Sequence, residues 1–147
     1  MNPHRRRGQG LVEFSLALIP FLLILMGIVD LGRGIYMNNG VAEAAREMAR
    51  VTAVHPGVVL GDSAETQAVI GTQKNLVPGL ASPGATISFT CTNFNGVAMT
   101  GAGCRGTSTD KVVFVRVQIT VPFSVLTPVL SMVAPSTLSS TAHVQVP

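Results

Sequence analysis

The chain has no tryptophan, a single tyrosine and little charge, with only 12% of its residues Asp, Glu, Lys or Arg. A soluble domain usually carries about 25% charged residues, so the deficit points away from an ordinary soluble protein. Scarce aromatics leave few rings on which bases could stack. The formal charge of +3 does not supply a basic face either. Three of the ten basic residues are Arg5, Arg6 and Arg7, and the other seven balance all seven acidic residues. With no basic surface beyond that run, no nucleic-acid partner is expected. The histidines, His4, His55 and His143, lie in separate contexts, and no paired carboxylates, GxSxG, HExxH or phosphate-binding loop occurs. Ser139-Ser140-Thr141 has hydroxyls but no visible base. The composition therefore implies neither an enzyme nor a metal or cofactor site.

What the sequence does have is a long apolar run. Leu11 to Val29 reads LVEFSLALIPFLLILMGIV, nineteen residues whose one charge, Glu13, lies near the start. At the helical rise it covers roughly 28 Å, close to a hydrocarbon core of ~30 Å. Arg5–Arg7 precede it and Asp30 follows, so the positive-inside rule places residues 1–8 in the cytoplasm and the rest outside. A cleaved signal peptide fits less well. Its apolar core is about 7–15 residues with a small-residue cleavage site close by, whereas the nearest candidate, Ala42-Glu43-Ala44-Ala45, lies well beyond the run.

The helix is expected to continue past the membrane. Leu31, Ile35, Ala42, Ala45, Ala49 and Ala53 recur near helical spacing. Glu43 with Arg46 and Glu47 with Arg50 form favourable i,i+3 pairs that offset the like-charge i,i+4 pairs. Gly32, Gly34 and Gly40 are weak helix formers that would permit a bend, and His55-Pro56-Gly57 ends the segment. Beyond it, Ser63 to Leu76 reads as a second helix, stopped by Pro78-Gly79. Ile87, Phe89 and Cys91 then alternate with polar residues as a half-buried strand requires. Val113, Val115, Val117, Ile119 and Val121 mark one face of a longer strand, and Leu138 to Val146 alternate in a last one. The expected fold is α+β: an N-terminal transmembrane helix continuing into an amphipathic helix, then a small domain of one helix and about three antiparallel strands.

Cys91 and Cys104 are the only cysteines, and both fall in the outer part. An even count in an oxidising compartment favours a disulfide, with two unpaired thiols as the alternative. The enclosed TNFNGVAMTGAG is rich in Gly and Asn and is not expected to hold itself in place. No His or further Cys stands near enough for a metal site.

At the membrane entry the sequence runs Arg5-Arg6-Arg7-Gly8-Gln9-Gly10-Leu11-Val12-Glu13-Phe14. This resembles a prepilin processing site, and more specifically that of the TadE-like pseudopilins of tight-adherence (Flp-type) pilus systems. In those, a basic stretch, a Gly, a Gly-Gln start, a Val-Glu-Phe and a Pro-interrupted apolar helix recur in this order. The resemblance extends through Asp30-Leu31-Gly32-Arg33 and Ala44-Ala45-Arg46-Glu47 and covers roughly residues 7–54. It implies cleavage after Gly8 by an aspartic prepilin peptidase in the membrane, leaving Gln9 as the new amino terminus. Gly8 would also let a protease approach the backbone closely, and Arg5–Arg7 would hold the bond at an anionic lipid surface. Alternatively, the arginines only set topology and Gly8 leads into the helix.

Glu13 admits two readings. The resemblance implies that it guides processing or pairs with the amine of a neighbouring subunit's Gln9, and a carboxylate inside an apolar segment calls for a partner. It can also reach up to headgroup water. Pro20 frees a carbonyl near Leu16, for which Ser15 or a packed helix could compensate. The expectation is a minor pilin-like subunit in the cytoplasmic (inner) membrane: leader 1–8, helix 9–54 and outer domain 55–147. Its partners would be the peptidase, other pilin or pseudopilin subunits and the membrane itself. The alternative is an uncleaved single-pass anchor carrying a binding module.

Overall fold

The structure is a computed structural model. It describes residues 4–99, 104, 113–127, 130–132 and 134–147, with side chains described from Gly8 onward and not at residue 130. One helix organises it. Helix α1 runs His4–Val54, continuous through Pro20 and through Gly32, Gly34 and Gly40, so no break occurs where the glycines would permit one. The Ser15 hydroxyl donates to the carbonyl of Val12 at 2.9 Å. It is therefore not the group that compensates the Leu16 carbonyl freed by Pro20.

The two halves of α1 differ in what covers them. From Leu11 to Val29 the large apolar side chains are exposed along every face. In the second half Met37, Val41, Ala44, Ala45, Met48, Ala49, Thr52 and Ala53 are all buried. They recur at three- and four-residue steps and so form one stripe. The stripe is not quite the expected one. Leu31 and Ile35 share the period but stay exposed, while Met37, Val41 and Met48 carry the bulk of the buried volume. On the outer side, Arg46 meets Glu43 at 3.2 Å and Arg50 meets Glu47 at 2.7 Å, the i,i+3 pairs read from the sequence. The Arg50 guanidinium holds the Glu47 carboxyl below its usual range.

The helix ends where Pro56 lacks an amide and Gly57 takes a positive φ of 73°. Helix α2 spans Ala64–Leu76 and is capped by Ser63, whose hydroxyl accepts from the Thr66 amide. The Ser63 hydroxyl also donates to Thr66 Oγ1 at 2.8 Å, and Thr66 Oγ1 lies 3.2 Å from Thr52 Oγ1 on α1. Two buried threonines are thus satisfied across the α1–α2 contact. Gly61, at φ 86°, passes under the Phe89 ring, where a Cβ would come within 2.8 Å of the ring.

Among the described residues four antiparallel strands form one sheet in the order β2-β1-β3-β4: β1 Thr86–Asn93, β2 Ala98–Met99, β3 Val113–Pro122 and β4 Thr137–Gln145. Val117 pairs with Phe89 on one side and Ala142 on the other. Val113, Val115, Val117, Ile119 and Val121 of β3 are buried on one face, as their alternation demands. They share a single core with the buried stripe of α1, and α1 packs on β3 and β4.

The short β2 lies in the segment expected to be unable to hold itself. Asn93 exchanges backbone hydrogen bonds with Val97 and Gly96, and its Oδ1 accepts from the Val97 amide at 2.9 Å. Gly96 at φ 77° completes this turn, so β1 and β2 close a hairpin. Cys91 on β1 and Cys104 are joined in a disulfide with their Cα atoms 5.4 Å apart.

Candidate functional site: the amino-terminal helix and its collar

The residues singled out at the membrane entry lie together on the first exposed turns of α1. Gly8, Gln9, Glu13 and Phe14 are all exposed. The spacing from Gln9 to Glu13 is one i,i+4 step, so the two share a helix face. Among the described residues Glu13 meets no hydrogen-bond or ion-pair partner within its own chain. The backbone of Arg5, Arg6 and Arg7 is helical, and their side chains lie outside the described residues. A Cβ placed on Gly8 or on Gly10 would meet nothing within 4 Å. The fold does not demand a glycine at either position, although glycine in a helix interior costs about 1 kcal/mol relative to alanine.

At the other end of the apolar run sits an arrangement that sequence reasoning missed. Asp30, the first residue beyond the run, is only 3% exposed. Its carboxylate accepts the Leu126 amide at 3.0 Å (Oδ1) and the Thr127 amide at 2.9 Å (Oδ2). A buried carboxylate needs such donors, and two amides from an irregular loop supply them. The Leu126 amide foremost, with Thr127 beside it and Arg33 a turn further on, holds the Asp30 carboxyl below the usual carboxylate range. Next to this tie the Phe123 ring lies over Gly34, and the Arg33 guanidinium stands 5.5 Å from the ring centroid. Asp30 read from sequence marks only the end of a membrane span. Its partners lie 96 and 97 residues away in a stretch without a motif. The usable signal was an acid that ends an apolar run and begins a buried stripe.

His55 and His143 stand apart, and among the described residues no three His, Cys, Asp or Glu side chains gather as a metal site would require.

Among the described residues, one apolar helix, bare along its first half and buried along its second in a small α+β domain, fits a membrane-anchored protein. Residues 8–50 match the family model described as TadE-like protein, in agreement with the resemblance read from the membrane-entry motif. The match covers the exposed apolar segment, Asp30 and most of the buried stripe, and it stops before α2 and the sheet. Comparison with curated proteins and with solved structures gave no match.

Proposed function

We propose that this chain is a minor pilin-like subunit that acts in the assembly of a tight-adherence pilus. In this reading a prepilin peptidase removes residues 1–8 at the cytoplasmic face, and residues 9–54 anchor the subunit and pack it against its neighbours. The remainder, 55–147, is displayed on the outer side of the cytoplasmic membrane. The protein works by association and turns over no substrate.

One observation carries the proposal. The segment that matches the TadE-like family opens on Gly8-Gln9 and Glu13-Phe14, set on helical turns that nothing else among the described residues covers. Glycines at 8 and 10 that no packing requires are explained by a need to open the backbone. A peptidase must unwind the first turns of α1 to reach the Gly8–Gln9 bond, and two glycines weaken the helix there. Once cut, Gln9 bears a cationic amine one turn from Glu13. Between staggered neighbours the amine and the carboxylate meet in an apolar setting where an unpaired charge is costly.

Glu13→Gln tests the pairing. The variant keeps size and hydrogen-bonding capacity, and membrane insertion should survive because a charge leaves an apolar segment. Assembly, measured as crosslinked complex or pilus yield, should fall, since the neighbour's amine is left without its counter-charge. Cleavage at Gly8 is followed in the same sample. Normal processing together with normal assembly would show that Glu13 merely faces headgroup water.

A further inference from the structure

The loop between β3 and β4 is unusually apolar for a surface segment. From Val117 to Pro147 the sequence contains no Asp, Glu, Lys or Arg, and Phe123-Ser-Val-Leu-Thr-Pro-Val-Leu-Ser-Met-Val-Ala-Pro135 is mostly apolar. Loops that run over a protein surface in water are ordinarily polar. This one is nevertheless fixed at two of its described points. Its neck is closed by the Phe123 amide donating to the Ser136 carbonyl at 2.9 Å. Its body is fastened to α1 through Asp30. Held in this way it leaves Leu126 62% exposed and Met132 88% exposed.

The height of the loop follows from its fastening. Leu126 and Thr127 are bonded to Asp30, and Asp30 is the first residue past the apolar run Leu11–Val29, so this part of the loop lies level with the outer edge of the hydrocarbon. Between the loop and α1 runs an apolar groove of about 690 Å³, bordered by Ile24, Ile28, Leu31, Ile35, Val125 and Leu138. Ile24 is six residues before Asp30, so the groove reaches roughly 9 Å below it into the span. This also accounts for the exposed Leu31 and Ile35, which form its upper border. Arg33 places a cation one turn above Asp30, at headgroup height.

We propose that the β3–β4 loop is a second membrane contact. Leu126 and Met132 seat in the interfacial layer of the outer leaflet beside α1, and lipid chains fill the groove. The occupant is lipid rather than a second copy because the groove opens onto the lipid-facing surface of the span, which lipid covers before any subunit arrives. A lone helix is free to tilt and turn about its axis. A second contact a groove's width away fixes the tilt and rotation at which the sheet is presented. The inference rests on the reading of Leu11–Val29 as a membrane span, and its test separates the two.

The full chain, with its native cysteines bridged, takes a single added thiol at Leu126→Cys, Met132→Cys, Leu23→Cys or Ala64→Cys, each labelled with an environment-sensitive fluorophore. All four positions have exposed side chains, and the Leu126 tie to Asp30 uses only the backbone. The labelled chains are reconstituted into vesicles of mixed phosphatidylcholine and phosphatidylglycerol that carry a nitroxide quencher near the headgroup or deeper on the acyl chain. Labels at 126 and 132 should shift to the blue and lose fluorescence to the headgroup-level quencher. The label at 23 should be quenched from the acyl chain, and the label at 64 should be unaffected. Quenching at 23 without quenching at 126 and 132 overturns the loop contact and leaves the span intact. Failure at 23 overturns the span and the loop contact together. A blue shift at 132 that resists lipid quenching and vanishes on dilution to one chain per vesicle assigns the surface to a second copy and overturns the proposal.

Discussion

The two halves of α1 are built from one unbroken helix yet meet different solvents. In the first, large side chains such as Phe14, Ile19 and Ile24 are exposed on all sides, interrupted only by Glu13, Ser15, Ala17, Pro20 and Gly27. In the second, alanines alternate with a few larger residues. Ala44, Ala45, Ala49 and Ala53 let the sheet approach closely, and Met37, Val41 and Met48 fill the space between. An all-round apolar surface suits lipid, whereas a one-sided small-and-large stripe suits a protein layer. Asp30 stands at the change from one to the other.

The comparison breaks most easily in the core. Met48→Ala should lower the stability of the folded domain by about 2–5 kcal/mol, since it removes a fully buried side chain. Leu22→Ala, in the exposed half, should change it by no more than about 0.5 kcal/mol. Urea-dependent proteolysis of both full-length variants in mild detergent reads the difference. Equal losses would mean that the halves are not energetically distinct.

At the far edge of the sheet, Cys104→Ser should destabilise the domain by about 3 kcal/mol on the chain-entropy account of a loop this size. It should also expose Asn93–Met99 to protease while leaving the chain as resistant to carbonate extraction from membranes as the wild type. Labelling of both thiols in wild-type protein taken from the oxidising side would show that no bridge forms.

The smallest expected effect is local and lies at the border. The native pKa of Asp30 is lowered, so its contribution is fully present above the ordinary value of 3.8. It is lost as pH falls through the lower native value. The amide resonances of Leu126 and Thr127 should titrate together, with a midpoint below 3.8, and Asp30→Asn should abolish that titration. A midpoint at or above the ordinary value would mean that the tie does not hold in solution.

Much of this architecture was legible because its signals are local. The long apolar run, the Pro78-Gly79 stop after α2, and the alternation in Val113–Val121 each report the period or the end of one element. What escaped depends on contacts far apart in sequence. The tie from Asp30 to Leu126 joins ends of the domain that no local pattern relates. Leu31 and Ile35 stay exposed on the border of the groove that α1 shares with Phe123 and Val125. The strand Ala98–Met99 is two residues long and owes its pairing to the Asn93–Val97 turn more than to its own propensity. Of the membrane-entry residues, Gly8, Gln9, Glu13 and Phe14 were conspicuous because their types and spacing stand out against an otherwise uniform apolar helix.

Whether the chain enters assembly as a cut pilin-like subunit is read most directly from its amino terminus. The full-length protein, co-expressed with its host's prepilin peptidase and recovered from membranes, should have the intact mass of a chain that begins at Gln9. Gly8→Val should retain residues 1–8. A wild-type chain that keeps residues 1–8 while a control prepilin in the same cells is cut would contradict the account, and would instead favour an uncleaved anchor bearing a binding module.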